Sequence, residues 1–308
     1  SNKKINIMFD HISIIGCGLI GSSILRASNK KKIAKKISVF DKSKEVTSYL
    51  KKENLSEDVS NNIIDATKEA DIIIIASPLS AYKEILLSLK DNLKKDVILT
   101  DVGSAKKEVN KIIENLNLKN ISWVASHPIA GTEESGPKAG FAELFENRWC
   151  IVSPSNDAKK DDIEKIKNFW QTLGSKVKIM THKEHDSILS LTSHLPHAIA
   201  YNIVKTAIGN DNKLRQEVIQ YSAGGLRDFT RIAASDPVMW RDIFIDNSEN
   251  ILKALDDFSV NLEEMKKAIK EKNGNKLLGI FSSTKEFRKE IVKAGQDTTK
   301  SNFGRKEN

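Results

Sequence analysis

Cysteine is nearly absent: the 308 residues include only Cys17 and Cys150. Two cysteines make no disulfide framework, so a reducing, cytoplasmic setting is expected. Long apolar runs are missing as well. No stretch approaches the roughly 18 residues of a membrane span. The strongest run, Ile72 to Ala76, has the length of a strand. Asp10 and His11 interrupt the N-terminal region, which therefore lacks the apolar core of a secretory leader. Ser1-Asn2, without a methionine, reads as a cleavage scar.

Acidic residues fall slightly short of basic ones, 41 against 49, for a net charge of +8. The lysines are interleaved with acids along helix faces and no nucleic-acid motif accompanies them, so neither nucleic acid nor a membrane is an expected partner. Lys30, Lys31, Lys32, Lys35 and Lys36 read as favourable charge at a helix C-terminus followed by a solvated loop. Arginine is scarce, eight of the 49 basic residues, yet Arg227, Arg231 and Arg241 crowd into one short segment. Such crowding points to planar, bidentate donors being required there.

The most informative feature present is the apolar run Ile12–Ile15 passing into Gly16-Cys17-Gly18-Leu19-Ile20-Gly21, with Asp41 closing a second short strand 20 residues further on. Three glycines at this spacing let a strand turn tightly into a helix whose first amides, at Leu19, Ile20 and Gly21, face a pyrophosphate. An acid at the end of the next strand falls where a ribose 2′-hydroxyl needs an acceptor. The pattern predicts a dinucleotide site at Gly16, Gly18, Leu19, Ile20, Gly21 and Asp41. Because a carboxylate repels a 2′-phosphate, Asp41 favours NAD over NADP, although Lys42 and Lys44 stand close by.

Strand and helix signals alternate through the first part. Strands are expected at 12–15, 37–40, 71–76, 97–100, 122–125, 148–152 and 176–180, with helices such as 81–93 and 105–116 between them. The fold class is therefore α/β: a Rossmann-type, doubly wound, mostly parallel sheet over residues 1–180, with later strands running antiparallel at one edge. From 181 the pattern is helical. Thr181-His182-Lys183-Glu184 is a capping box, opening a helix to about 208 that Pro196 should bend near Thr192. Further helices are expected at 216–223, 237–254, 256–272 and 277–294, with a disordered tail at 295–308. An all-helical domain over 181–294 with apolar faces suggests a homodimer through that half. A helical domain packed on its own sheet is the alternative.

Candidate chemistry gathers at the strand ends. Ser126-His127-Pro128 places His127 at the carboxyl edge of the sheet, where an imidazole can serve as a general base or merely cap a turn. Asp101-Val102-Gly103-Ser104 ends another strand. Ser104 can cap a helix starting at Ala105, orient an imidazole or touch a nicotinamide. Ser77 ends a third and lines the cofactor trench. Arg227 and Arg231 share a helix face, with Asp228 three residues before Arg231. That cluster is either a fork for a substrate carboxylate or an interhelical ion-pair group. His182, His185, His194 and His197 lack the spacing and partner acids of a metal site, so no metal is expected.

The glycine turn with Ser22-Ser23, the segments His127–Gly131 and Ser193–His197, and Gly224-Gly225 through Arg231 to Asp236-Pro237 occur in this order in one family. Across nearly its whole length, excluding the ends, the chain resembles prephenate/arogenate (cyclohexadienyl) dehydrogenases of tyrosine biosynthesis. The resemblance implies NAD(P)-dependent oxidation of a ring carbinol with loss of the ring carboxylate as carbon dioxide. It implies that His127 accepts the proton of the ring 4-hydroxyl and that Ser104 orients it. Arg231 would bind the ring carboxylate, steadied by Asp228 and Glu133. His194 and His197 would border the side-chain pocket, with help from Thr132. Two other readings remain: a β-hydroxyacid dehydrogenase of similar architecture, whose lysine and asparagine motif is not evident here, and a non-enzymatic dinucleotide-sensing regulator.

Overall fold

Four consecutive isoleucines, all buried, make strand β4, and such a strand is stable only when both of its faces are covered. Ile72 and Ile74 enter one apolar core and Ile73 and Ile75 the other, as the two-residue period of a strand requires. The computed structural model describes residues 7–118 and 121–296. Around β4 (Ile72–Ile75) lie β1 (Phe9–Ile15), β2 (Ala34–Phe40), β3 (Asp58–Ser60), β5 (Val97–Asp101), β6 (Ile121–Pro128), β7 (Trp149–Pro154) and β8 (Lys176–Ile179). They form one sheet in the order β3-β2-β1-β4-β5-β6-β7-β8. Pairing is parallel from β3 to β6; β7 then runs antiparallel to β6, pairing His127 with Ile151, and β8 parallel to β7. The sheet is thus doubly wound and mostly parallel, with its reversal at one edge.

Helices α1 (Leu19–Lys31), α2 (Lys44–Lys52), α3 (Ile63–Thr67), α4 (Tyr82–Leu89), α5 (Lys107–Leu116) and α6 (Lys160–Thr172) connect the strands. The short edge strand β3 has no counterpart in the sequence reading: Asp58-Val59-Ser60 is too short and too polar to show a period. The expected helix at 105–116 starts two residues late, and Ser104 does not cap it. The amides of Lys106 and Lys107 are instead taken by the Asp186 carboxylate, at 2.9 and 3.0 Å. The expected helix at 81–93 ends at Leu89.

Among the described residues, helices alone follow β8: α7 (His182–Leu189), α8 (Leu195–Ile208), α9 (Asn212–Gln220), α10 (Gly224–Ala233), α11 (Pro237–Asp246), α12 (Ser248–Lys270) and α13 (Gly274–Lys293). Thr181 caps α7 as expected, its hydroxyl accepting the Glu184 amide at 3.1 Å. The rod to Ile208 is not one α-helix, however. Ser190–His194 form a widened π turn between α7 and α8, in the stretch where Pro196, lacking an amide, interrupts the ladder. The expected break near residue 255 falls at Asn247 instead, because the Asn247 side chain is bonded to the Asp186 carbonyl and the His194 ring. None of the described helices is long and apolar enough to cross a membrane.

The chain divides into two compact units, the first through Ser248 and the second from Glu249. Within the second unit, Asn273 caps α13 by accepting the Lys276 amide at 3.0 Å, and Lys276 pairs with Glu264 of α12 at 2.6 Å. Val260, Leu262, Ile269, Phe281 and Phe287 of this unit are exposed. The expected tail falls, from residue 297 onward, outside the described residues, as does the Ser1-Asn2 scar.

Candidate active site

Gly16 leaves β1 with φ of +86°, a conformation favouring glycine, and a Cβ there would stand 2.5 Å from the Ser77 hydroxyl oxygen. At Gly21 a Cβ would stand 2.1 Å from the Gly16 carbonyl oxygen, so only glycine lets α1 pack this closely on the turn. Gly18 differs: a Cβ there would meet nothing within 4 Å. Space is therefore open beside the first turn of α1, whose N-cap residue Gly18 offers no side-chain cap. The amides of Leu19, Ile20 and Gly21 lie in that turn and are fitted to an anion. Asp41, just past β2, is fixed in place: its carboxylate accepts the Cys17 amide at 2.9 Å and the Ser43 amide at 2.8 Å. Ser77 is anchored by its hydroxyl donating to the Ile15 carbonyl at 3.3 Å. Burial pushes the Cys17 thiol up to about 12, with the Asp41 charge adding to the effect, so it is no nucleophile at neutral pH. The turn has room, amides and an acid in the arrangement that a dinucleotide needs.

His127 lies within β6, one residue before its end, and is 7% exposed. Its Nδ1 is 2.7 Å from Nε2 of His185, whose own Nδ1 is 2.7 Å from the Asp186 carboxylate. Burial drives His127 well below its ordinary pKa, reinforced by His185 and the Lys106 ammonium, so the ring is neutral at physiological pH. Lys106 is wholly buried against Asp101, with both carboxylate oxygens 2.8 Å from its Nζ. Asp101 also accepts from Tyr82, the Gly103 amide and the Ser126 amide, tying the ends of β5 and β6 together. Sequence reasoning missed Lys106, and considered His185 only as a metal ligand. The signals were the His-Asp pair behind the Thr181 cap and the lysine two residues after Ser104. The Ser104 hydroxyl makes no hydrogen bond among the described residues, and its backbone stands beside His194.

The helical residues fall into two groups. His194 is fully buried: Asn247 donates to its Nδ1 at 3.0 Å, which leaves the proton on Nε2, with the Ser104 backbone close to the ring. Burial, with His185 nearby, lowers its pKa to about 4. His197 stacks on Trp240 at 3.5 Å between centroids, and its Nδ1 donates to the Ser193 carbonyl. Arg231 and Asp228 lie on α10, which packs along α8, and both are exposed. They form no ion pair with each other among the described residues, contrary to the spacing argument. Arg241 instead pairs with Asp242, which holds the Ser80 amide after β4. Thr132 and Glu133 follow β6 in an exposed to half-buried loop, Thr132 accepting the Glu134 amide.

Residues 24–179 match the family description "Prephenate dehydrogenase, nucleotide-binding domain", and residues 181–283 match "Prephenate dehydrogenase, dimerization domain". The chain belongs to the prephenate dehydrogenase family. It is 40% identical to a cyclohexadienyl dehydrogenase of Zymomonas mobilis, over 91% of this chain and 96% of that protein. Identity to a Bacillus subtilis prephenate dehydrogenase is 33%, over 92% and 76%. Among solved structures, Aquifex aeolicus prephenate dehydrogenase, in complex with hydroxyphenyl propionate and NAD+, superposes with a TM-score of 0.84 at 32% identity, covering 92% of this chain and 98% of that one. The nucleotide-binding match starts inside α1, so in this family member the glycine turn is assigned on its own geometry.

Proposed function

We propose that this chain oxidises and decarboxylates prephenate to 4-hydroxyphenylpyruvate, or arogenate to tyrosine, using NAD. The observation that carries the reading is a neutral, buried His127 at the carboxyl edge of the sheet that also carries the glycine turn. NAD, when bound, supplies the hydride acceptor. Gly16, Gly18, Leu19, Ile20 and Gly21 hold its pyrophosphate, Asp41 its ribose, and Ser77 and Ser104 border it. His127 takes the proton of the ring 4-hydroxyl at Nε2, which relieves the positive charge made at the carbinol carbon. The residues need to orient the ring rather than supply a strong acid, since loss of the carboxylate makes the ring aromatic.

Arg231, which has no ion-pair partner among the described residues, is free to grip the ring carboxylate; Asp228 and Glu133 would steady it only once substrate is bound, with Thr132 beside it. His194 and His197 border the substrate side chain. Residues 1–180 serve the nucleotide and 181–294 the substrate and a second copy of the chain, consistent with the matched description of a dimerization domain. The two buried, unpaired cysteines suit a cytoplasmic setting. Purified protein with NAD+ should form reduced nicotinamide, read by absorbance, on addition of prephenate or arogenate. Silence with both substrates, and with NADP+ as well, rejects the assignment.

A further inference from the structure

The hydrogen-bond chain behind His127 fixes more than its position. Asp186 sits in a setting that keeps it ionised. Burial works to raise its pKa, but the bond from His185 and the amides of Lys106 and Lys107 outweigh this and hold it below the usual carboxylate range. An ionised carboxylate only accepts, so the His185 Nδ1 facing it must carry a proton. His185 is fully buried and its pKa is lowered, chiefly by that burial, so the ring is neutral with one proton to place. With that proton on Nδ1, Nε2 is a bare lone pair, and it lies 2.7 Å from His127 Nδ1. His127, also neutral, satisfies this contact only by holding its own proton on Nδ1. Nε2 is then left unprotonated, and it has no hydrogen-bond partner among the described residues.

We propose that His185 and Asp186 are positioning residues that set the tautomer of His127, so that its Nε2 rather than its Nδ1 is the base. The inference rests on the reading of His127 as the proton acceptor. No proton travels along the chain. The proton removed from substrate stays on His127 Nε2, and the resulting imidazolium is stabilised through His185 by the Asp186 charge. Lys106 and His194 also act on His127, and both disfavour its protonated form. Two buried carboxylates stand behind these groups: Asp101, bonded to Lys106 and the Ser126 amide, and Asp186, which meets His127 only through His185.

The test compares three variants of the full chain with prephenate and NAD+. In Asp186→Asn the amide nitrogen can donate to His185 Nδ1, which reverses both tautomers and places a proton on the base. We expect kcat to fall about 10²- to 10⁴-fold, in line with other imidazoles held in the wrong tautomer, with KM within about threefold. Asp186 also caps α5, so this variant alone could fail by unfolding. His185→Gln leaves Asp186 untouched: its amide can donate to the carboxylate while its carbonyl oxygen accepts from His127 Nδ1. It should keep kcat within about tenfold of wild type, whereas His185→Leu should lose about 10²-fold or more at unchanged melting temperature. Full activity in folded Asp186→Asn, or equal losses in the glutamine and leucine variants, overturns the proposal. Nitrogen-15 spectra of the unmodified chain at pH 7.5 decide independently of turnover. A protonated His127 Nδ1 and bare Nε2 support the assignment, and the reverse defeats it. Should the wild type turn over neither substrate, the spectra still judge the tautomer, so failure of the functional reading is distinguishable.

Discussion

An imidazole accepts a proton only while neutral, and at His127 desolvation, a neighbouring imidazole and a buried ammonium all act to keep it so. The proton-accepting form persists above the folded pKa, which is well below 6.5. Accordingly kcat/KM should stay level from pH 8 to 6.5 and decline only at lower pH, as a pH-rate profile will record. His127→Asn should reduce kcat about 10²- to 10⁴-fold with little change in KM. Arg231→Ala should act differently. Losing a charge-assisted bond of about 1.5–3 kcal/mol raises KM roughly 10- to 150-fold while sparing kcat, measurable by steady-state kinetics. His194, with a folded pKa of about 4, titrates in its unfolded form near 6.5. Between those pH values the unfolded chain binds the proton that the folded chain refuses, so this ring's stability contribution is complete above pH 6.5 and lost as pH falls toward 4. Following the His194 ring signals by NMR against pH should show titration near 4 and not near 6.5.

At the scale of elements, the glycine turn separates folding from binding. Gly18 has φ of −85° and empty space where a Cβ would go, so Gly18→Ala should leave the melting temperature within a few degrees. The added methyl would enter the region assigned to the pyrophosphate, weakening NAD+ binding about tenfold or more by titration calorimetry. Gly21→Ala drives a methyl into the Gly16 carbonyl and should lower the melting temperature markedly. This turn, the parallel strands and the Thr181 cap were legible because each depends on local spacing: glycine geometry, a two-residue period, a side chain three residues from its amide. Where contacts are distant in sequence, spacing is silent. Nothing local announces that Asp186 rather than Ser104 caps α5, a contact spanning about 80 residues. Nor does it show that Asn247 ends α11 by reaching Asp186 and His194, or that Lys106 is buried against Asp101. His127, Arg231 and His194 could be nominated by residue type and place. His185, which is bonded to His127, could not.

For the whole molecule, large apolar side chains remain exposed after folding of the single chain, among them Ile219 and Tyr221 in the first unit and Phe281 and Phe287 in the second. Surfaces of this kind mark association sites. Light scattering on the purified protein should give twice the chain mass of 34.4 kDa at micromolar concentration. A monomer at that concentration counts against assembly through the helical half. The sheet also imposes an order on synthesis. The strand of four isoleucines must pair with β1, already made, on one flank and with β5, still to come, on the other. Until Val97–Asp101 clears the ribosome, its outer ladder of amides is unpaired and its greasy faces are uncovered. That interval is when the nascent chain is most open to aggregation, and when a chaperone or a slower elongation rate would most improve the yield of folded enzyme.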